Sequence, residues 1–175
     1  MGRTKALVEV DGVPMADRVL DALSSVGCDP LIVYGGDPHE LARLGAPVVA
    51  DRHRGEGPVG GVEGALRWMG GVDDPGGPVD AVLVLACDLP DVDGDALRVL
   101  LDAARGTDVV VAHTGRREPM CALWPLSRAD DVAAAFEDGV RSMHELLDHV
   151  AAVEVAVPAR ALRNVNRPED VASGE

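Results

Sequence analysis

The chain has few aromatic residues, far fewer basic than acidic residues, and no long apolar run. Aromatic residues make up 2% of its 175 residues, and a core must therefore be built mainly from valine, leucine and alanine. With so few rings, recognition of a nucleobase cannot depend on an aromatic stacking platform. The shares of hydrophobic residues (47%) and charged residues (26%) are ordinary for a soluble globular protein. The aromatic residues are Tyr34, Trp68, Trp124 and Phe136.

The formal net charge of −14 argues against two classes of partner. A nucleic-acid backbone and an anionic membrane both repel a strongly acidic protein, so we expect neither as a partner. A small anionic substrate stays compatible with this charge, because one lysine together with a metal ion can form a locally positive site.

Targeting signals and cysteine pairs are also missing from the sequence. No apolar run approaches the roughly 20 residues of a membrane-spanning helix, and no basic-then-apolar signal segment precedes the domain. The cysteines Cys28, Cys87 and Cys121 lie far apart and include no CxxC pair. This pattern predicts reduced thiols in a cytoplasmic protein and does not predict a zinc site.

Strand-like and helix-like segments alternate along the chain, which predicts an α/β fold. We expect one domain over residues 1–175, with a Rossmann-like three-layer α/β/α architecture and a mostly parallel sheet. Extended segments are predicted at residues 6–10, 31–34, 48–50, 81–86, 109–112, 120–124 and 153–157. Helices are predicted at residues 14–26, 40–44, 62–69, 97–104, 129–137, 143–150 and 168–172, and a flexible surface loop at residues 70–78.

Asp88 ends the most apolar stretch of the chain and is followed by Leu89 and Pro90. A continuous apolar run is typical of a strand buried on both faces, as in the middle of a parallel sheet. Ligands of open α/β sheets bind beyond the carboxyl ends of such strands, where a carboxylate can hold a hard metal ion and a polyphosphate. The alternative is that Asp88 caps a helix starting near Asp91 or forms an Asx turn. Position alone leaves both open.

Residues 51–61 form a glycine-rich segment that follows a predicted strand. A proline suits the first turn of a helix, and glycines let a ligand approach the backbone closely. The free N–H groups at such a helix start can bind an anion or a base. An ordinary glycine-rich loop explains the same residues equally well. The candidate residues here are Asp51, Gly57, Pro58, Gly60 and Gly61.

Two shorter segments complete the candidates. Lys5 follows a glycine near the start of the chain and is a natural counter-ion for phosphate, although a solvated lysine is the commoner case. Asn164 and Asn166 precede Pro168 and two acidic residues. Their amides could bind a phosphate or a metal-bound water, or could simply belong to a turn that starts a helix.

In this order, the four segments resemble the MobA-like nucleotidyltransferases, and most nearly the molybdenum cofactor guanylyltransferases among them. The resemblance rests on Gly-x-x-Lys-Ala-Leu near the start, Gly-Pro-x-x-Gly, Ala-Cys-Asp-x-Pro, and Asn-Val-Asn-x-Pro-Glu-Asp near the end. It covers nearly the whole chain. It implies a fold like that of the nucleotide-diphospho-sugar transferases and a magnesium-dependent transfer of GMP from GTP to molybdopterin phosphate, with release of pyrophosphate. A related cytidylyltransferase and a non-catalytic nucleotide-binding remnant are the alternatives.

The resemblance implies a role for each matched residue. Lys5 would contact the nucleotide phosphates, Asp88 would bind Mg²⁺, and Asp51 would lie at the nucleoside side of the pocket. Asn164 and Asn166 would lie near the acceptor phosphate and the metal. The loop against guanine and ribose would comprise Gly57, Pro58, Gly60 and Gly61. The implied partners are GTP, a molybdopterin-type substrate and molybdoenzyme maturation proteins.

Two departures from the family pattern stand out. Met1 and Gly2 fall on the last two residues of the family's glycine-rich signature, so we expect the sheet to lack its central first strand. A start codon placed too late, at an internal methionine, would explain this. Gly36 also stands where some members carry an asparagine near the base, which bears on base preference.

Overall fold

The computed structural model describes residues 4–71 and 79–165, in which strands and helices alternate. The strands are β1 (Glu9–Val10), β2 (Val13–Pro14), β3 (Val33–Tyr34), β4 (Val48–Val49), β5 (Ala81–Leu85), β6 (Val110–His113), β7 (Arg117–Pro125) and β8 (Val153–Ala156). The α-helices are α1 (Met15–Ser25), α2 (Pro58–Gly70), α3 (Gly94–Ala103), α4 (Ala129–Glu137) and α5 (Met143–His149). Short 3-10 helices cover Lys5–Leu7, Leu126–Arg128 and Ala159–Leu162. The predicted loop at 70–78 and helix at 168–172 lie wholly or largely outside the described residues.

Two predicted elements were wrong. Residues 40–44, predicted as a helix, form turns in which Leu41 and Leu44 are still buried. An isolated helix of this length would not repay the cost of its first turn. Residues 6–10 are not one extended segment, because a 3-10 helix precedes the β1–β2 hairpin. That hairpin turns at Asp11 and Gly12, both with positive φ, and Asp-Gly is a sequence that favours such a turn.

The main sheet has the strand order β5-β7-β6-β8. Strands β5, β6 and β8 run in the same direction, and β7 lies antiparallel between β5 and β6. The reversed strand follows from the short connection after β6, since parallel neighbours need a long crossover. A second sheet pairs β3 with β4 in parallel. The predicted α/β class is confirmed, with one reversed strand that sequence patterning did not reveal.

Helices cover both faces of the main sheet. On one face α2, α4 and α5 pack on Val111 and Trp124, and on the other α1 and α3 pack on Val110 and Leu123. Successive residues of β6 point to opposite faces, which explains why this strand is apolar throughout. The result is the predicted three-layer arrangement. None of the helices in the described ranges has the length and hydropathy needed to cross a lipid bilayer.

A cleft of about 680 Å³ separates the two sheets. Helices α1 and α2 form its walls, and β3 and β5 face each other across it. Over residues 4–71 and 79–165, β3 pairs only with β4 and β5 pairs only with β7, so both strands present an unpaired edge to the cleft. The carboxyl end of the cleft is lined by Thr4, Gly36, Pro58, Gly61 and Asp88.

Candidate functional site

Asp88 lies in the turn after β5, at the carboxyl edge of the main sheet. The alternative that it caps the next helix is wrong. Helix α3 begins at Gly94, and its N-cap is Asp93, whose carboxylate accepts a hydrogen bond from the backbone N–H of Ala96 at 2.8 Å. The side chain of Asp88 is therefore available for another role.

Lys5 reaches Asp88 although 83 positions separate them in sequence. Its Nζ donates to Asp88 Oδ2 at 3.2 Å, and the lysine side chain is half exposed while that of Asp88 is only 13% exposed. The other carboxylate oxygen, Oδ1, is buried and has no hydrogen-bond partner among the described residues. A buried acceptor without a partner costs about 1–3 kcal/mol, more when charged, so this oxygen is suited to receive a cation or a donor.

The donor set around Asp88 fits a magnesium ion. Carboxylate oxygen is the ligand that Mg²⁺ prefers, and Oδ1 is the unpartnered atom that could provide it. No group of three or more His, Cys, Asp or Glu side chains suitable for a metal occurs in the described parts of the chain. Mg²⁺ commonly uses one or two carboxylates together with substrate phosphates and water, so a single aspartate is consistent with such a site.

The glycine-rich segment joins β4 to α2 on the other side of the cleft. Gly57 has φ of +84°, a conformation that favours glycine, and Pro58 occupies the first turn of α2 as predicted. A Cβ on Gly61 would meet nothing within 4 Å, and Gly61 lines the cleft. A Cβ on Gly60 would lie 2.8 Å from His53 Cβ, so this glycine permits close packing inside the protein.

Asp51 shapes its own loop. Its Oδ1 accepts from the backbone N–H of His53 at 2.8 Å, the bond of an Asx turn. A Cβ on Gly35 would lie 3.7 Å from Asp51 Cβ, which places the aspartate beside the end of β3. Its predicted role at the nucleoside side of a pocket stays a prediction.

His53 and Glu63 form a contact that sequence patterning did not reveal. His53 Nε2 lies 2.7 Å from Glu63 Oε2, and Glu63 is buried in α2. The sequence alone suggests for His53 no more than an added positive charge in the loop or a solvated side chain. A signal was present, since Glu63 is a charged residue within the apolar sequence of α2, between Val62 and Gly64.

Asn164 lies close to Asp88 through its neighbour in the chain. It is exposed, and the backbone N–H of the next residue, Val165, donates to the carbonyl of Asp88 at 3.0 Å. This bond brings the segment that contains Asn164 to the edge of the site. Asn166 lies outside the described residues. Asn164 also lines a shallow groove together with Arg116, Arg160 and Arg163.

Arg117 and Arg141 are both engaged with acidic side chains. Arg117 donates to Asp148 at 2.6 Å and to Glu154 at 2.7 Å, and these hydrogen bonds raise the pKa of its guanidinium. Arg141 donates to Glu56 at 2.8 Å and stacks over the Phe136 ring, 3.9 Å from its centroid. Both contacts are structural in the described protein.

The three thiols are free, as their spacing predicted. Burial raises the pKa of all three: that of Cys121, on β7, reaches about 12, and those of Cys28 and Cys87 are raised above the ordinary value. The nearby charge of Asp88 adds to the effect at Cys87. None of them has the lowered pKa of a nucleophilic cysteine.

The α/β fold, with an aspartate and a lysine at the carboxyl edge of the main sheet and a glycine-rich helix start across the cleft, is an arrangement compatible with a nucleotidyltransferase. The MobA-like NTP transferase domain matches residues 1–155, and the chain belongs to this family. A molybdenum cofactor guanylyltransferase of Cereibacter sphaeroides is 35% identical over 175 residues, covering 99% of this chain and 88% of the relative. The enzyme of that name from Rhodobacter capsulatus is 33% identical over 180 residues, covering 100% of this chain and 88% of the relative.

Solved structures share the fold. A protein from Aquifex aeolicus superposes with a TM-score of 0.76 at 24% identity, over 95% of this chain and 86% of that one. Molybdopterin-guanine dinucleotide biosynthesis protein A from Archaeoglobus fulgidus superposes with a TM-score of 0.69 at 24% identity, over 98% of this chain and 88% of that one. A 2-C-methyl-D-erythritol 4-phosphate cytidylyltransferase from Thermus thermophilus superposes with a TM-score of 0.71 at 20% identity, over 99% of this chain and 93% of that one. At these identities the likeness concerns the fold alone.

Proposed function

We propose that the chain is a magnesium-dependent guanylyltransferase that transfers GMP from GTP to the phosphate of a molybdopterin-type acceptor. The observation that carries this proposal is the contact of Lys5 with Asp88, whose second carboxylate oxygen is buried and unpartnered among the described residues. The names of the relatives that match nearly the whole chain support the choice of substrates.

In this proposal the acceptor phosphate oxygen attacks the α-phosphorus of GTP. A new phosphorus–oxygen bond forms, the bond from the α-phosphorus to the bridging oxygen breaks, and pyrophosphate leaves with the electron pair. Such a transfer depends mainly on alignment and charge neutralisation. A bound Mg²⁺ would neutralise phosphate charge and orient the reacting groups.

The residues around Asp88 have distinct roles in this proposal. Asp88 Oδ1 holds the metal, and Lys5 Nζ moves its hydrogen bond from the carboxylate to a phosphate oxygen. Residues 51–61 hold guanine and ribose, with the open side of Gly61 allowing close approach of the ligand. Asn164 and Asn166 bind the acceptor phosphate. We place this activity in the cytoplasm, and molybdoenzyme maturation proteins would receive the product.

Replacing Asp88 tests the proposal. Asp88→Asn should lower kcat/KM for pyrophosphate release by at least about 10²-fold, the effect of removing one group that stabilises transition-state charge. Stability should be kept or increased, because the buried oxygen loses its charge. The matched control is Asp95→Asn on the surface of α3, where the carboxylate is 92% exposed.

The assay follows pyrophosphate release with GTP and with CTP, with and without the molybdopterin acceptor. Turnover with GTP alone among the two nucleotides supports the proposal, whereas turnover only with CTP assigns the chain to the cytidylyltransferase alternative. Failure of the wild-type chain to bind either nucleotide in the presence of Mg²⁺ would identify a non-catalytic remnant. Full activity of Asp88→Asn would refute the role of the carboxylate.

A further inference from the structure

Glu63 is the single charged residue that is buried within the described ranges, with 6% of its surface exposed. A carboxylate at this depth is destabilising unless it is paired and hydrogen-bonded. Glu63 has two such partners. His53 Nε2 lies 2.7 Å from Oε2, at which distance an imidazole N–H donates to the carboxylate, and Arg67 Nε donates to Oε1 at 3.2 Å.

The two partners belong to different parts of the molecule. Arg67 is on α2, one turn after Glu63, and also lies 3.2 Å from Asp130 of α4, so this partner fixes the carboxylate to the helices. His53 belongs to the segment between β4 and α2. The His53–Glu63 bond therefore links α2 to the glycine-rich segment, which the Glu56–Arg141 pair also ties to the helix layer, while the Arg67 bond is internal to the helix layer.

The backbone and the side chain of His53 both make contacts with neighbouring residues. Its backbone N–H donates to Asp51, its carbonyl accepts from Glu56 N–H at 3.0 Å, and its ring packs on Phe136 with centroids 4.5 Å apart. Its Cβ fills the space beside Gly60. His53 thus contacts residues 51–56 through its backbone and α2 and α4 through its ring, and its side chain is only 21% exposed.

We propose that His53 and Glu63 are positioning residues, which fix residues 51–61 in the geometry that receives the nucleotide. The inference rests on the proposed function, because that segment is the proposed guanine and ribose site. Neither side chain needs to touch the ligand. Without their bond the segment would sample more conformations, and binding would carry the cost of ordering it.

A positioning role of this kind predicts a specific kinetic pattern. His53→Ala should raise KM for GTP about tenfold, equivalent to about 1.4 kcal/mol, with kcat nearly unchanged. His53→Gln, which can still present an N–H to Glu63, should restore KM to within about threefold of wild type. Arg67→Ala removes the other partner of the same carboxylate and should lower thermal stability while leaving KM for GTP unchanged.

A second measurement needs no nucleotide. The side chains of Arg52 and Arg54 are exposed in the same segment, so trypsin cleavage after them reports how well the segment is held. Cleavage should be about tenfold faster in His53→Ala than in wild type, and unchanged in Arg67→Ala and His53→Gln, at a temperature where all four proteins are folded.

The outcomes separate the two proposals. If the wild type binds no nucleotide, the proposed function fails, and the trypsin assay alone decides whether His53 positions the segment. Equal KM and equal cleavage rates in His53→Ala and wild type would overturn the positioning role. So would identical changes in His53→Ala and Arg67→Ala, since these would indicate a general stabilising role. If His53→Ala does not fold, His53→Gln and Arg67→Ala are compared, and a faster cleavage in His53→Gln would also overturn it.

Discussion

The main sheet and the β3–β4 sheet differ in how they hold the residues that follow them. Strands β6 and β7 are packed between two helix layers, and residues such as Val110, Val111, Ala122 and Trp124 have no exposed surface. Strands β3 and β4 have two residues each, all half-buried. The main sheet carries Asp88 at its edge, and the small sheet carries the glycine-rich segment. A site can thus combine one group fixed by a backbone ladder with another fixed by side chains.

This difference determines which substitutions matter on each side. Asp88 follows a strand paired along its full length with β7, so its position depends on the main sheet. The glycine-rich segment depends on individual contacts: the Arg52 N–H with the Tyr34 hydroxyl at 3.1 Å, the His53–Glu63 pair and the Glu56–Arg141 pair. Global stability should therefore reside mainly in the main sheet, and local order in the small one.

The largest expected effect on the free energy of unfolding comes from a substitution in the main sheet. Trp124→Ala should lower the free energy of unfolding by about 3–5 kcal/mol, because it leaves a cavity under the α2–α4–α5 layer. Trp68→Ala is the matched control, since this tryptophan is 37% exposed on α2 and its loss should cost less than about 1 kcal/mol. Urea unfolding followed by circular dichroism measures both. Equal costs would contradict the assignment of the stable core to the main sheet.

Substitutions of two adjacent glycines at the start of α2 should change the stability by intermediate amounts and in opposite directions. Gly60→Ala places a Cβ 2.8 Å from His53 and 3.2 Å from Phe136, so it should destabilise by about 1–3 kcal/mol. Gly61→Ala enters open space and should stabilise by up to about 1 kcal/mol through helix propensity. Thermal unfolding of the two variants measures the difference. A stabilised Gly60→Ala protein would show that the segment is not packed against α2 as described.

The smallest expected effect is a change in the free energy of unfolding with pH. It arises in the main sheet, which holds Cys121, the one buried thiol among the described strands. Its pKa is raised by burial from 9.0 to about 12. Between these values the unfolded chain releases the thiol proton and the folded chain keeps it, so stability falls as pH rises. From pH 8 to pH 10 the Cys121 thiol should account for a loss of about 1.4 kcal/mol.

Cys121→Ala checks this prediction by urea unfolding at the two pH values in the presence of a reductant. The variant should lose about 1.4 kcal/mol less than wild type over the same pH interval. An identical pH dependence of both proteins would mean that the thiol is not held neutral by its surroundings.

The fold class and Asp88 were predictable from local sequence, whereas the contacts across the site were not. An apolar run ending in Asp88 and Pro90 marks a strand by itself, but the predicted position in the middle of a parallel sheet was wrong for the described residues, where β5 is an edge strand in which only Val82 is buried. Excluding Asp88 as a helix cap needed the position of Asp93, which the structure supplies as the true N-cap, and the metal-binding role of Asp88 stays a prediction. The contact of Lys5 with Asp88 joins residues far apart in the chain, and no periodicity encodes such a contact.

The reversed strand and the buried pair were missed for different physical reasons. A strand of β7's composition has the same pattern in either direction, and only the short connection from β6 determines its orientation. Glu63 carried a visible signal, a charge on an apolar helix, but its partner His53 lies in an irregular segment where spacing predicts no geometry. All the assigned site roles stay predictions: those of Lys5, Asp51, Gly57, Pro58, Gly60, Gly61, Asp88, Asn164 and Asn166.

Strand edges that face a cleft can pair with strands of neighbouring molecules, and β3 and β5 both present such edges within the described ranges. The charge of −14 carried by each chain opposes that encounter. Salt weakens this repulsion, because the screening length falls from about 10 Å at 0.1 M to about 3 Å at 1 M. A higher ionic strength is therefore expected to favour edge-to-edge association over dispersed chains. The colloidal stability of this protein depends on its medium as well as on its fold.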